Sequence, residues 1–159
     1  MSLRGEYLMS YDELLKEIED LGIDLIEANI PGLLKGLYID GAIILKKDMS
    51  LAHKKCILAE EIGHHLLNVG NILDQRKMSN RKQEMKARKW AYEKLIPLQM
   101  FIDAHCYGCS NFYELVEFFE VTPEFLKETL MHYSRKYGNI VDENEFIIKF
   151  DPLEVLEKG

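Results

Sequence analysis

The stretch "LAEEIGHHLL", residues 58–67, decides which fold and which chemistry this chain is expected to have. Glu60, Glu61 and His64 follow the H-E-x-x-H spacing of zinc-binding helices, with glutamate where the first histidine should stand. Because residues four apart share a helical face, Glu60 and His64 are candidate metal ligands. Glu61 then lies where the motif places the carboxylate that activates water. Zinc accepts carboxylate ligands, and an oxygen-rich set shifts the preference toward manganese.

The competing interpretation is an ordinary helix, with Glu60 and Glu61 solvated and His64 at the edge of the core. E-E-x-x-H is common in helices, so these five residues alone favour that interpretation. Gly63 favours the metal site, because glycine costs about 1 kcal/mol inside a helix and needs a compensating reason. A close approach by a neighbouring strand would supply one.

A catalytic zinc site takes three protein ligands, so a third residue is required. Glu84 is the candidate, because it is spaced with Ala87 and Ala91 along one face of the next predicted helix. Asp74 in the preceding loop and Glu93 on the same helix are weaker alternatives.

Turn residues and periodicity predict a small antiparallel sheet followed by two long helices. Asp40-Gly41 is a strong two-residue hairpin signal, and Ser50 can cap the helix that carries the motif. The expected elements are a helix over 11–21 that ends at Gly22, strands over 23–29, 33–39 and 42–45, the motif helix to about Asn68 with Gly70 as its stop, a polar loop over 70–80, and a helix over 80–96 that ends before Pro97.

The remainder of the chain, 98–159, is expected to be helical, with a terminal strand over 143–150. Thr122-Pro123 supplies an N-cap followed by proline at the first helical position. The segment "YELVEFFEVTPEFLKETL" resembles a helix-turn-helix, but its acidity argues against DNA contact. It is interpreted as a helical hairpin that closes the core or docks a protein. The fold class is therefore α+β, mostly helical.

Length and charge limit the possible functions. The 159 residues are expected to form a single domain, with 1–9 as a leader, 10–97 as the sheet and the two metal-site helices, and 98–159 as a helical part. The net charge of −7 disfavours direct binding of nucleic acid or a membrane surface. No apolar run approaches the roughly 20 residues that cross a bilayer, and the N-terminus lacks a signal-peptide pattern, so a cytoplasmic location is expected.

Several other polar residues have ordinary explanations. Cys106 and Cys109 form a single C-x-x-C, which is expected to be a turn, and Cys56 is expected to be a small buried hydrophobe. His65 points about 100° away from His64 and is expected at the edge of the core. The cations between Arg76 and Lys94 are expected to be a solvated helix face. Candidates for stabilising a transition state are His53, His105 and His132, among which the sequence does not choose.

The sequence resembles the ImmA/IrrE family of metallopeptidases, especially its branch in prophages and other mobile elements. The resemblance is carried by "CILAEEIGHHLL" and "RKQEMKARKWAYEKLIPLQM", and extends from "GLYIDGAIIL" to "ELVEFFEVTPEFLKETLMHYSRKYG". It implies a zincin-like minimal metallopeptidase fold, with the small antiparallel sheet packed on the active-site helix. It also implies His64 and Glu84 as ligands, Glu60 at the first-ligand position and Glu61 as the catalytic base. Most members have histidine at the first-ligand position, and glutamate there is typical of the prophage branch.

Three functions are compatible with these features. The resemblance implies a divalent-metal endopeptidase, with zinc expected and manganese as the alternative, that cleaves a helix-turn-helix repressor encoded beside it. The second possibility is an inactive pseudo-peptidase that only binds the repressor. The third is a DNA-binding regulator that uses the C-terminal helices.

Overall fold

The computed structural model describes residues 8–68 and 80–159, so the predicted stop at Gly70 and most of the loop over 70–80 lie outside the described residues. The chain divides into two compact units, which we call the N-terminal unit, Met9–Ala91, and the C-terminal unit, Tyr92–Gly159. The division falls within a helix. Whether the whole chain behaves as one domain stays a prediction.

The N-terminal unit begins with helix α1, Tyr11–Asp20. Ser10 and Glu13 form a reciprocal capping box, in which the Ser10 side chain accepts from the Glu13 amide at 3.1 Å. Leu14 and Ile18 are buried one turn apart, which is the apolar face that the sequence predicted. The chain turns at Gly22, whose φ of 71° favours glycine.

A three-stranded sheet follows, formed by β1 (Asp24–Ala28), β2 (Gly36–Ile39) and β3 (Ala42–Lys46), with β3 in the centre. β2 and β3 form the predicted antiparallel hairpin. Its Asp40-Gly41 turn has φ of 46° and 80°, the pair of positive values that a type I′ turn requires.

The prediction of a wholly antiparallel sheet is wrong for β1, which pairs with β3 in parallel. The chain reverses between β1 and β2 and again at Asp40-Gly41, so β1 runs in the same direction as β3 and lies on the side of β3 away from β2. Short strand runs in the sequence carry no signal for the direction of pairing. The central position of β3 explains why its Ile43 and Leu45 are fully buried.

Two long helices complete the N-terminal unit: α2, Leu51–Asn68, and α3, Asn80–Leu95, whose last turn belongs to the C-terminal unit. The Ser50 hydroxyl accepts from the His53 amide at 3.1 Å, as the predicted N-cap of α2. The sheet packs on α2 as predicted, and a Cβ on Gly36 of β2 would collide with Ile57.

Gly63 lies at a close contact between α2 and α3. A Cβ on Gly63 would lie 2.8 Å from the Ala87 carbonyl oxygen and 3.1 Å from the Ala87 Cα. The close approach that the glycine predicted is therefore present, but the neighbour is a helix and not the expected strand. Ala87 and Ala91 are fully buried, so small residues occupy this face of α3.

The C-terminal unit contains helices α4 (Leu98–Tyr107), α5 (Phe112–Phe119) and α6 (Pro123–Tyr137). Thr122 caps α6 through the Phe125 amide at 3.1 Å, so the predicted helical hairpin is present. Phe101, Phe119, Tyr133 and Phe150 form an aromatic core, with ring centroids 5.4–6.3 Å apart in the pairs that touch.

The sequence underestimated the β content of this unit. Instead of one terminal strand over 143–150, the chain forms an antiparallel sheet of β4 (Ile140–Glu143), β5 (Phe146–Phe150) and β6 (Leu153–Glu157). The description of 98–159 as helical is therefore wrong after Tyr137. Asn144 at φ 55° provides the β4–β5 turn, a tight reversal that the sequence reading included in its single strand.

Replacing Gly63 with alanine tests the close packing of α2 on α3. Alanine gains about 1 kcal/mol of helix propensity, but overpacking a tight contact costs about 1–3 kcal/mol. Because the contact is with backbone atoms, we expect a net loss in the free energy of unfolding, measured by urea denaturation. Adding Ala87→Gly should not restore stability, since it leaves that backbone in place. An increase in stability for Gly63→Ala would contradict the close approach.

Candidate metal centre

The packing of α2 on α3 brings two predicted ligands together. His64, on the face of α2 next to Gly63, places Nε2 3.1 Å from Oε1 of Glu84 on α3. The His64 side chain is largely buried, whereas the Glu84 side chain is 52% exposed. An imidazole nitrogen and a carboxylate oxygen thus converge from two helices at the solvent boundary, which is how such side chains bind an ion in other helical sites.

Glu60, the third predicted ligand, contacts a residue that the sequence analysis did not select. Its Oε1 lies 3.1 Å from Nε of Arg88, and the same Nε lies 4.0 Å from the second oxygen of Glu84. Glu60, Arg88, Glu84 and His64 therefore form one continuous network of charged and polar groups. We call these four residues the α2–α3 network.

The sequence predicts Arg88 to be one of the solvated cations of α3, and the structure agrees only in part, because the side chain is 42% exposed but its Nε contacts Glu60. The available signal was its position four residues after Glu84, which places both side chains on one helical face. That spacing is common on exposed helices, and only the packing of α2 shows that Arg88 also reaches Glu60.

The donor set suits a divalent cation, since two carboxylates and an imidazole would balance its charge. In the described part of the chain, however, no three His, Cys, Asp or Glu side chains converge closely enough to hold an ion. His64 and Glu84 are together, whereas Glu60 faces Arg88. The assignment of Glu60, His64 and Glu84 to a metal stays a prediction.

Glu61 lies where α2 meets the sheet. A Cβ on Gly36 of β2 would lie 3.4 Å from its Oε1, so the glycine leaves room for this carboxylate. Burial, together with the smaller effects of the negative charges of Glu60 and Glu84, raises the pKa of Glu61 to about 7. A general base works best with a pKa near the working pH, so this environment suits the role predicted for Glu61.

His65 is held by the sheet. Its Nδ1 lies 2.8 Å from the hydroxyl of Tyr38 on β2, and the two rings meet edge to face with centroids 5.3 Å apart. This agrees with the predicted position of His65 at the edge of the core. The sequence analysis missed Tyr38, a phenol on the strand that lies against α2, because strand alternation alone does not show which helix a side chain meets.

The remaining candidates lie elsewhere or in other contacts. Glu93, the alternative third ligand, pairs with His132 and Lys136 in the C-terminal unit. Burial alone would raise the pKa of Glu93, but its contacts with Lys136 and His132 outweigh this effect and lower the pKa. Asp74 lies outside the described residues. His105 is exposed against Phe146 in the C-terminal unit.

The cysteines agree with the sequence analysis. Cys106 and Cys109 flank Gly108, the left-handed C-cap of α4, so the C-x-x-C lies at a helix end and turn. Cys56 is buried in α2. No disulfide is present among the residues that the structure describes. Within the same residues, no helix is long and apolar enough to span a membrane.

The fold is α+β, and the helix that carries the E-E-x-x-H sequence packs against a small sheet and a second helix. This arrangement defines a minimal metallopeptidase-like domain. The family model for Peptidase_M78, the IrrE N-terminal-like domain, matches residues 18–131, more than two-thirds of the chain. The protein therefore belongs to this family, which confirms the resemblance to ImmA/IrrE proteins. Membership suggests hydrolysis of peptide bonds with a divalent metal. No curated protein matches the sequence significantly.

The raised pKa of Glu61 predicts a pH-dependent stability in metal-free protein. The protonated carboxyl is favoured in the folded state, so its contribution is complete below the unfolded value of 4.5 and is lost as pH rises through about 7. The free energy of unfolding of the wild type should fall relative to Glu61→Gln by about 3 kcal/mol over this range. Urea denaturation between pH 5 and pH 8, in the presence of chelator, measures most of this fall.

A control for the loss of one carboxylate is Glu124→Gln, at an exposed position of α6. Its pH profile should run parallel to that of the wild type. Parallel profiles for the wild type and Glu61→Gln would show that Glu61 does not titrate near neutrality.

Proposed function

We propose that the protein is a metal-dependent regulatory endopeptidase of a prophage or other mobile element, and that it cleaves a helix-turn-helix repressor encoded beside it. The observation that carries this proposal is the pairing of His64 with Glu84 across α2 and α3, at 3.1 Å, beside the buried carboxylate of Glu61. Family membership supports the reaction class. In this proposal the substrate is the repressor protein, and cleavage takes place in the cytoplasm. The net charge of −7 argues against direct binding of DNA by the peptidase itself.

His64 and Glu84 would hold the metal together with Glu60, once the Glu60 side chain turns from Arg88. Zinc is the proposed ion and manganese the alternative, since two carboxylates lower the preference for the softer metal. When bound, the ion would polarise the peptide carbonyl and acidify a water molecule. Two carboxylates neutralise the ion fully, so this activation would be weaker than in a site with two histidines.

Glu61 supplies the proton transfers in this proposal. As a carboxylate it accepts a proton from the attacking water, and as a carboxylic acid it donates that proton to the departing amide nitrogen. With a pKa of about 7, the ionised and protonated forms of Glu61 are both populated near neutral pH. Tyr38, on β2 next to α2, joins the histidines as a proposed donor to the developing oxyanion.

A second candidate is favoured by a specific observation, the contact of Glu60 with Arg88. If the guanidinium remains there, the fold is a pseudo-peptidase that binds the repressor without cleaving it. The third candidate, DNA binding through α5 and α6, is disfavoured because the hairpin segment 112–130 carries five glutamates and one lysine.

Glu61→Gln separates the peptidase from the binding module. This variant should lose cleavage of the neighbouring repressor by at least about a hundredfold, which is the usual contribution of a general base, while retaining metal and repressor binding. Cleavage is measured by gel electrophoresis and mass spectrometry of the purified repressor, and binding by a pull-down with the same protein. Equal cleavage by wild type and variant would rule out Glu61 as the base.

Elemental analysis tests the metal ligands. Protein purified without chelator should contain zinc or manganese near one ion per chain, and Glu84→Gln should lose most of it. The matched control is Glu93→Gln on the same helix, since Glu93 pairs with Lys136 and His132 and should not affect the metal. Metal loss in Glu93→Gln with retention in Glu84→Gln would reverse the assignment of the third ligand.

A further inference from the structure

Arg88 lies between the two carboxylates that the proposed metal would need. Its Nε is 3.1 Å from Glu60 Oε1 and 4.0 Å from Glu84 Oε2, while the other Glu84 oxygen faces His64 Nε2 at 3.1 Å. The guanidinium thus contacts Glu60, which is the predicted metal ligand outside the His64–Glu84 pair. Arg88 is also one turn after Glu84, so both side chains leave α3 on the same side.

The charges explain why a cation is held there. Glu60 and Glu84 bring two carboxylates to the same guanidinium nitrogen, with oxygens 3.1 Å and 4.0 Å from Arg88 Nε. Without a counter-charge, the repulsion between these carboxylates would push them apart. Arg88 supplies one positive charge and a divalent metal would supply two. Since both neutralise the same oxygens of Glu60 and Glu84, they compete for one position.

The contact between Arg88 and Glu60 is also weak enough to be broken. Arg88 Nε is shielded from solvent, yet it has no hydrogen-bond partner within 8–68 and 80–159, so the contact with Glu60 lacks hydrogen-bond alignment. A strong arginine–carboxylate pair is bidentate and well aligned. The Arg88 side chain is 42% exposed, so its guanidinium can move into water at small cost.

We propose that Arg88 is a resident counter-cation that occupies part of the metal site and sets its affinity. This inference rests on the proposed metal site. In the metal-free protein, Arg88 holds Glu60 away from His64 and Glu84. Metal binding requires Arg88 to release Glu60, so the protein binds its ion more weakly than the three ligands alone would, and loading depends on the concentration of free metal.

The experiment compares metal affinities of the wild type, Arg88→Met and Arg81→Met. Methionine keeps much of the length and apolar character of the side chain but removes the charge. Arg81 is an exposed cation on the same helix, so its variant measures the general effect of removing one positive charge. Dissociation constants for Co²⁺, Zn²⁺ and Mn²⁺ are measured by competition with a chromophoric chelator, and the Co²⁺ spectrum reports the ligand environment directly.

Arg88→Met should bind metal about tenfold tighter than the wild type or more, whereas Arg81→Met should change affinity by about twofold or less. Metal-free Arg88→Met should also be less stable than the wild type, because the carboxylates then repel one another, and saturating metal should restore its stability. Arg88→Lys, which keeps the charge but not the reach or the planar group, should give an intermediate affinity and serves if the methionine variant fails to fold.

Each outcome decides between the possibilities. If the wild type binds metal and neither Arg88 variant binds tighter, Arg88 does not compete and this inference fails while the proposed function stands. If only the Arg88 variants bind, the competition is supported in its strongest form. If neither the wild type nor the Arg88 variants take up any of the three ions, the metal site itself is absent, and the proposed function fails together with the inference.

Discussion

The contact of Gly63 with the backbone of Ala87 is the constraint on which the candidate site depends. With no side chain at Gly63, α2 approaches α3 until a Cβ there would lie 2.8 Å from a carbonyl oxygen. At this separation, the side chains of His64 and Glu84 meet at 3.1 Å and Arg88 contacts Glu60. A wider spacing would leave the same residues on two separate helix surfaces. Gly63 therefore lowers the intrinsic stability of α2, but it makes the α2–α3 network possible.

The same close packing brings several carboxylates together, and their negative charges repel one another. Glu60 and Glu61 on α2 lie near Glu84 on α3, and the pKa of Glu61 is raised to about 7. A surface helix would let these charges separate into water, but here the sheet covers one side and α3 the other. Protonation of Glu61 and the cation of Arg88 both reduce the negative charge, and the proposed metal ion would do the same. These three effects are linked, because each one changes the charge that the others experience.

Local signals in the sequence predicted most of the N-terminal unit. Ser50 and Asp40-Gly41 in this unit, and Thr122-Pro123 in the C-terminal unit, act through their own backbone neighbours, and each one marks the element boundary that it predicted. Long-range choices were not predictable in this way. The parallel pairing of β1 with β3 and the three-stranded sheet after Tyr137 depend on which segments meet, and short strand runs do not specify their partners.

The candidate site shows the same division between local and long-range information. Helical spacing identified Glu60, Glu61 and His64 as one group, and the face shared with buried alanines identified Glu84. Spacing did not identify Arg88, because a cation four residues after a glutamate is ordinary on an exposed helix and becomes part of a site only when a second helix adds another carboxylate. Nor did strand alternation identify Tyr38, whose hydroxyl meets His65.

The contact with Arg88 also gives a physical meaning to the glutamate at position 60. A neutral histidine at this position would offer a guanidinium no negative charge, so Arg88 would have little reason to leave solvent for it. A carboxylate attracts both an arginine and a metal ion. The departure from H-E-x-x-H therefore weakens the electrophile that a bound metal would provide, and at the same time creates a second, protein-supplied occupant for the site. For the regulatory peptidase proposed above, both effects would act in the same direction, toward a low resting activity.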